Sequence, residues 1–524
     1  MLSVGGAPPA GAAPIAQSHQ FWLPNGALND QFGESVAIAD GLIAVGAWLL
    51  DLPGGYPGAG GVFVYDAATG ALVSEAYREP RRANQRIGWA ISLADGVLVA
   101  GAPLDNANYT VAGSAYLYDA RTGEQLRQLR PQPHTDVYYR PAGGTVDETF
   151  GLTVATGEGL AVVGAPGYFG PDTVTQTGAA YVFDVSTGDQ LRVLRANDGR
   201  DDDGFGGSAI AIDDGLIVVG AMEHVADGIR SGAAYVFDAA TGRQVSKLTP
   251  DDAAAGTDFG VSVAISGNTV VVGAPLDDEN GFRAGAAYVF DALTGRQVRK
   301  LNPSSVNSND RFGFSVATDG DRVAVGAPFH DVDGVWGGAT YLFEAGSWNE
   351  LGFVTPSDRA FGDLDTQFGW SVGIEGDLVV SGAPHGNSPL SDAGQAYLHA
   401  IDVAPGDYNG DGRIDAGDLA VWTSDYGLSD SVGRRGILSA DGNHDGGVDA
   451  ADYTVWRDRL AGVGAPTPEP DAATLLAAAA VGCRRRRTGR PPLWVSLPRA
   501  GSLTHRAAPA RSLARVGSRA RRCR

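Results

Sequence analysis

The sequence predicts an all-β protein: a seven-bladed β-propeller of four-stranded antiparallel blades, closed by an N-terminal strand, with a small α-helical calcium module behind it. Three observations predict it. One motif recurs seven times at near-constant spacing, each copy divides into strand and turn signals, and the last copy lacks a strand that the N-terminus can supply.

Each unit opens with an apolar residue followed by glycine, at Phe32-Gly33, Ile87-Gly88, Phe150-Gly151, Phe205-Gly206, Phe259-Gly260, Phe312-Gly313 and Phe368-Gly369. The intervals are 55, 63, 55, 54, 53 and 56 residues. A second glycine follows about fourteen residues on: Gly46-Ala47-Trp48, Gly101-Ala102-Pro103, Gly164-Ala165-Pro166, Gly220-Ala221-Met222, Gly273-Ala274-Pro275, Gly326-Ala327-Pro328 and Gly382-Ala383-Pro384. In the fifth unit, Val261 to Ile265 alternates as a strand does. Ser266-Gly267-Asn268 is a hairpin turn. Thr269 to Val272 is a continuous β-branched run, suited to a strand buried on both faces. Ala286 to Asp291 is a third strand, Leu293-Thr294-Gly295 a turn, and Gln297 to Leu301 a fourth. The seventh unit stops after its third strand, Tyr397 to Ile401. His19-Gln20-Phe21-Trp22-Leu23-Pro24 reads as its missing fourth, which would close the ring and cover two sheet edges. An open solenoid would leave both bare.

Composition agrees. Among 524 residues, 75 are Gly, 44% are hydrophobic and 19% are charged, which suits short strands and tight turns with a packed core. The net charge of −22 hides an asymmetry: residues 484–524 hold 13 Arg and no acid, so residues 1–483 carry −35. That body would repel phosphates, so no nucleic-acid partner is expected. The only cysteines, Cys483 and Cys523, lie in the tail, leaving the body without a disulfide framework. No apolar stretch reaches the ~20 residues of a membrane span. Residues 1–18 read as an unstructured start or signal remnant, because Met1 to Gln17 lacks a basic and an apolar signal region.

The two glycine marks, FG and GAP, in seven in-phase copies over residues 19–402 resemble the FG-GAP repeats that build the integrin alpha-subunit propeller. The resemblance implies that the fourth-to-first and second-to-third loops share one face, where partners bind. Those loops are long here: Asn197 to Asp203, Asp277 to Asn280, His330 to Asp333, and Pro131 to Thr149. Tyr138, Tyr139 and Trp336 are candidate contacts for an extracellular protein or carbohydrate. The plainer reading of the acidic loops is a solvated rim. The calcium cages of integrin propellers are not carried over, because turns such as Ala39-Asp40-Gly41 and Ser266-Gly267-Asn268 offer too few oxygens.

Two segments carry a metal-loop pattern. Asp407, Asn409, Asp411, Asp415 and Asp418 stand at loop positions 1, 3, 5, 9 and 12, with Gly412 at 6 and the Arg413 carbonyl at 7. Asp441, Asn443, Asp445, Asp449 and Asp452 repeat this with Gly446 and the Gly447 carbonyl. Alternate residues turn inward on one hard cation and glycine permits the bend. A helical signal follows each loop and no full helix precedes it, and position 12 is Asp. The duplication, 34 residues apart, resembles the dockerin domain over residues 403–462. The resemblance implies two calcium ions, metal-dependent folding and a cohesin-type partner. The positions that correspond to dockerin recognition are small here, Ala416-Gly417 and Ala450-Ala451, which leaves a purely structural calcium module as the rival.

Residues 463–487, with Pro468-Glu469-Pro470, an apolar run from Ala472 and Arg484 to Arg487, resemble a PEP-CTERM sorting signal. This implies export in a bacterium and transient membrane association. Residues 488–524 read as a disordered basic tail. No nucleophile elbow, zinc-protease or phosphate-loop motif occurs, so no enzyme is expected; paired carboxylates of a glycoside hydrolase are the outside reading. The expected function is a monomeric extracellular or cell-surface binding or adhesion protein. The alternatives are a component of an extracellular polysaccharide-degrading assembly, or a surface structural protein.

Overall fold

A computed structural model describes residues 15–23, 29–105, 113–131, 149–167, 176–226, 228–303, 305–332, 335–356, 366–386 and 393–401, with Leu419, Trp422 and Tyr453 beyond them. Among the described residues, seven four-stranded antiparallel sheets follow one another along the chain. Blade 5 shows the plan, with strands Val263–Ser266, Thr269–Ala274, Ala286–Asp291 and Gln297–Leu301 paired in that order. The first strand is shorter than the alternation suggests. Val261 is taken up by a turn, its N–H donating to Asp258 O at 3.1 Å. Second and third strands are buried almost throughout, as continuous apolar runs must be. Fourth strands mix exposed and buried positions because they form the outer edge.

First strands of successive blades lie against one another around the axis. The cores sit between blades. One cluster joins Val218 and Val236 of blade 4 to Val272, Tyr288 and Phe290 of blade 5, with the fully buried Phe259 among them. The Phe259 ring stands edge-on to Tyr288 and Phe290, at centroid distances of 5.5 and 5.7 Å. Truncating that ring to Ala should lower stability by about 4 kcal/mol, measured by urea unfolding.

Closure follows the expected route with a longer strand. Ile15–Phe21 pairs antiparallel with Gln395–Ile401, so blade 7 is completed by residues from the other end of the chain. The strand starts four residues before His19, where the unstructured start was expected to end. A bulge between Gln17 and His19 resets its register, and Gln20 then faces Tyr397. Phe21 and Leu23 are buried, and the Phe21 ring lies 4.6 Å from Tyr65 of blade 1. The strand therefore ties blade 7 to blade 1 as well as completing its own sheet.

His399, in the same closing sheet, stacks edge-on to Phe368 at 5.6 Å. Burial pushes its imidazole down to about 4. A depressed histidine contributes stability above its unfolded value near 6.5 and loses it as pH falls towards 4. Up to roughly 3 kcal/mol should disappear across that window. Thermal unfolding of His399→Gln should be less steep in pH there than that of the parent.

Candidate ligand face and metal module

The glycine marks build the interface between blades. Seven parallel bridges link the residue opening each unit to a glycine before the preceding blade's third strand: Gly60 to Ile87, Gly113 to Phe150, Gly178 to Phe205, Gly232 to Phe259, Gly285 to Phe312, Gly338 to Phe368 and Gly394 to Phe32. The last one closes the ring. Each bridge joins the end of a second-to-third loop to the end of a fourth-to-first loop, which sets both loop families on one face. Gly313 N–H also donates to Gly326 O of its own blade at 3.0 Å. A Cβ added to Gly273 would come under 3.0 Å from Gly313 O of the next blade. Only a hydrogen fits between the two main chains.

A further element went unnoticed in the sequence. In five blades a hydroxyl two residues after the opening glycine donates to the next blade's opening-glycine carbonyl: Ser35 to Gly88 at 2.8 Å, Thr153 to Gly206 at 2.7 Å, Ser262 to Gly313 at 3.0 Å, Ser315 to Gly369 at 2.8 Å and Ser371 to Gly33 at 2.9 Å; Ser208 of blade 4 makes no such bond and blade 2 has Ala90 there. The pattern FG-x-S/T was there to be read.

Three residues of the loops whose plainer reading is a solvated rim do not face solvent. Asp203, Asp277 and His330 are buried. Asp277 accepts from Tyr288 Oη at 2.9 Å and Lys300 Nζ at 3.0 Å, and Lys300 also reaches Asp252 and Glu279 at 2.6 Å each. Burial alone would lower the Lys300 ammonium, but these acceptors outweigh it and raise it. In blade 4, His224 Nδ1 lies 2.9 Å from Asp203, and Lys247 Nζ lies 2.8 Å from His224 Nε2 and 2.6 Å from Asp198. In blade 6, His330 Nδ1 lies 2.7 Å from Asp310. Burial would raise Asp105 in blade 2, yet hydrogen bonds from Tyr116 and Gln85 and the Arg78 charge hold it below the usual carboxylate range. These groups are posts that hold the loops. Asp277→Ala would remove the buried acceptor shared by Tyr288 and Lys300, with Lys300 still held by Asp252 and Glu279, and should reduce stability by about 2 kcal/mol in urea unfolding. Trp336 ends a two-residue strand in the short hairpin Asp331–Val332 and Val335–Trp336. Tyr138 and Tyr139 lie outside the described residues.

The residue after each opening glycine stands at the head of an innermost strand, around the mouth of the central channel. These are Glu34, Trp89, Leu152, Gly207, Val261, Phe314 and Trp370. Glu34 Oε1 accepts from Trp370 Nε1 at 3.1 Å. The Trp48 indole faces the same carboxyl without a well-formed hydrogen bond to it. Burial pushes Glu34 up to about 6, against the effect of both indoles. A raised carboxyl contributes stability below its unfolded value and loses it as pH climbs through 6. Glu34→Gln should therefore gain on the parent by up to about 2 kcal/mol between pH 4 and 7.5, in paired thermal unfolding. The sequence reading missed this mouth, although Trp48 replacing proline in the first GAP was a signal.

All twelve candidate calcium ligands, Asp407, Asn409, Asp411, Arg413, Asp415, Asp418, Asp441, Asn443, Asp445, Gly447, Asp449 and Asp452, lie outside the described residues. What is described nearby concerns the segments after the loops. Leu419, Trp422 and Tyr453 are helical, and the buried Trp422 and Tyr453 rings meet at 5.1 Å. Trp422 stands four residues after Asp418 and Tyr453 one after Asp452, so this contact joins the segments that follow the two loops. The donor set, carboxylates and amides without cysteine, fits a hard cation.

The FG-GAP repeat family model matches residues 19–65, 189–237, 243–290, 296–343 and 348–399. The Dockerin type I domain model matches residues 405–461. The chain carries FG-GAP repeats and a type I dockerin domain. The repeat matches straddle blades: 296–343 runs from the fourth strand of blade 5 through the third of blade 6. The first, 19–65, begins within the closing strand, where the others begin at fourth strands. FG-GAP phasing thus treats that strand as the fourth strand of blade 7. No curated protein matches the chain significantly. Among solved structures it is similar to the computationally designed Ika8 protein, at 20% identity over 69% of this chain and 83% of that one, with a TM-score of 0.41.

Proposed function

We propose that this is an exported, non-enzymatic binding protein whose FG-GAP propeller presents a ligand face and whose dockerin attaches it to a cohesin-type partner. The observation that carries this reading is the joining of a closed ring, with both long loop families on one face, to a type I dockerin domain in one chain. Loops on a rigid frame are suited to recognition, and the buried loop carboxylates and histidines are occupied in holding that frame. The PEP-CTERM-like tail fits export with a membrane-directed sorting step.

In the dockerin, Asp407, Asn409, Asp411, Asp415 and Asp418 would hold one calcium ion with the Arg413 carbonyl. Asp441, Asn443, Asp445, Asp449 and Asp452 would hold another with the Gly447 carbonyl. Bound calcium neutralises carboxylates that would otherwise repel one another. Removing calcium with a chelator should reduce the helical circular-dichroism signal and leave the β signal of the propeller; an unchanged spectrum would contradict it. The dockerin also favours a second reading, a component of an extracellular polysaccharide-degrading assembly. A pull-down with type I cohesins, with calcium and with chelator, tests attachment. A glycan array and activity assays on a polysaccharide panel separate the free-standing binder from the assembly component.

A further inference from the structure

Aromatic side chains from four consecutive blades form a continuous arc at the channel mouth on the loop face. Phe314 of blade 6 packs 4.4 Å from Trp370 of blade 7, and Trp370 donates to Glu34 of blade 1. Trp48 of blade 1 lies beside the same carboxyl and meets Trp89 of blade 2 at 4.6 Å. All five residues are partly exposed, with the Trp48 indole nitrogen turned inward. On the remaining three blades the equivalent positions are Leu152, Gly207 and Val261, so the rings line one side of the mouth only.

Three features select the ligand class. Flat rings on neighbouring blades offer stacking surface to the C–H faces of sugar rings, and a few fixed polar groups set orientation. Glu34, held by an indole N–H, presents an acceptor to hydroxyl donors. A cation would meet the like charge of the Arg86 guanidinium, 4.7 Å from the Trp48 ring and 5.9 Å from Trp89, whereas sugar hydroxyls would find a donor there. A polyanion is repelled by the −35 of residues 1–483. We infer that the arc of Phe314, Trp370, Trp48 and Trp89 around Glu34 binds a neutral oligosaccharide at the mouth of the channel. This rests on the reading of the propeller as a binding scaffold, and the span of four blades calls for several linked sugar rings.

The test uses the full chain with calcium, followed by tryptophan fluorescence and calorimetry. The probes are cellohexaose, xylohexaose, mannohexaose and laminarihexaose, with tetramethylammonium and trigalacturonate as cationic and anionic comparators. At least one neutral hexasaccharide should bind saturably. Trp370→Ala and Trp89→Ala, on different blades, should each weaken it by about tenfold or more, and Trp370→Phe should recover much of the loss. Matching thermal unfolding shows which variants are folded. Binding of only the cation or the anion would overturn the inference. So would a hexasaccharide that binds both alanine variants as tightly as the parent, and that result would leave the scaffold reading standing. A chain that binds none of these probes and nothing on the glycan array would sink both.

Discussion

Gly273→Ala should abolish folding, or destabilise the propeller by more than about 4 kcal/mol, although it adds one methyl group. The position needs glycine for space. Its Cα faces Gly313 O of blade 6, and an added Cβ would also crowd Ser262 Oγ, which itself donates to that carbonyl at 3.0 Å. Neither main chain can retreat, because Gly313 is bonded to Gly326 on one side and pressed against Ala286 O on the other. The methyl would have to open the seam between blades 5 and 6, and in a closed ring one seam cannot open alone. Gly267→Ala is the matched control. Gly267 sits in the first-to-second turn with φ +53° and open space around it, so its cost is confined to left-handed backbone strain, about 1 kcal/mol. Equilibrium urea unfolding of the two variants checks the contrast.

Deleting residues 1–23 should have an effect of similar size. Blade 7 would keep three strands, and Gln395–Ile401 would present an unpaired edge. Phe21 and Leu23 would vacate the seam with blade 1, where Phe21 packs on Tyr65. The bridge from Gly394 to Phe32 would remain as the main-chain link between the ends of the ring. The expected outcome is loss of cooperative thermal unfolding and concentration-dependent association through the bare edge. Adding a synthetic peptide of residues 15–23 should reverse part of both.

Most of the ring was legible because its constraints repeat. The glycines recur since each seam has the same steric need, and seven copies turn a weak dipeptide into a pattern. The closing strand was legible as an absence, a fourth strand missing after Ile401 and a spare one before Asn29. Its start at Ile15 was not, because the bulge between Gln17 and His19 breaks the alternation that would have marked it. The loops were misread for a different reason. Composition makes Asp203, Asp277 and His330 look solvent-facing, whereas their partners Tyr288, Lys300 and Asp310 lie on other strands and loops that only the fold brings near. The channel mouth was invisible in the same way. Phe314, Trp370 and Glu34 are separated by whole repeats and meet because each occupies the same place in its blade, while Trp89 meets Trp48 from the GAP position of the preceding blade.

Hydrogen exchange of the full chain, read at peptide resolution, tests the closed ring most directly. A ring completed by its own N-terminus predicts that amides of residues 16–21 that bond across to Gln395–Ile401 are protected as strongly as the central strands of blade 7, and are lost together with them as urea is raised. Exchange of residues 16–21 at unprotected rates, while Leu378–Ala383 stays protected, would show that the ring does not close this way.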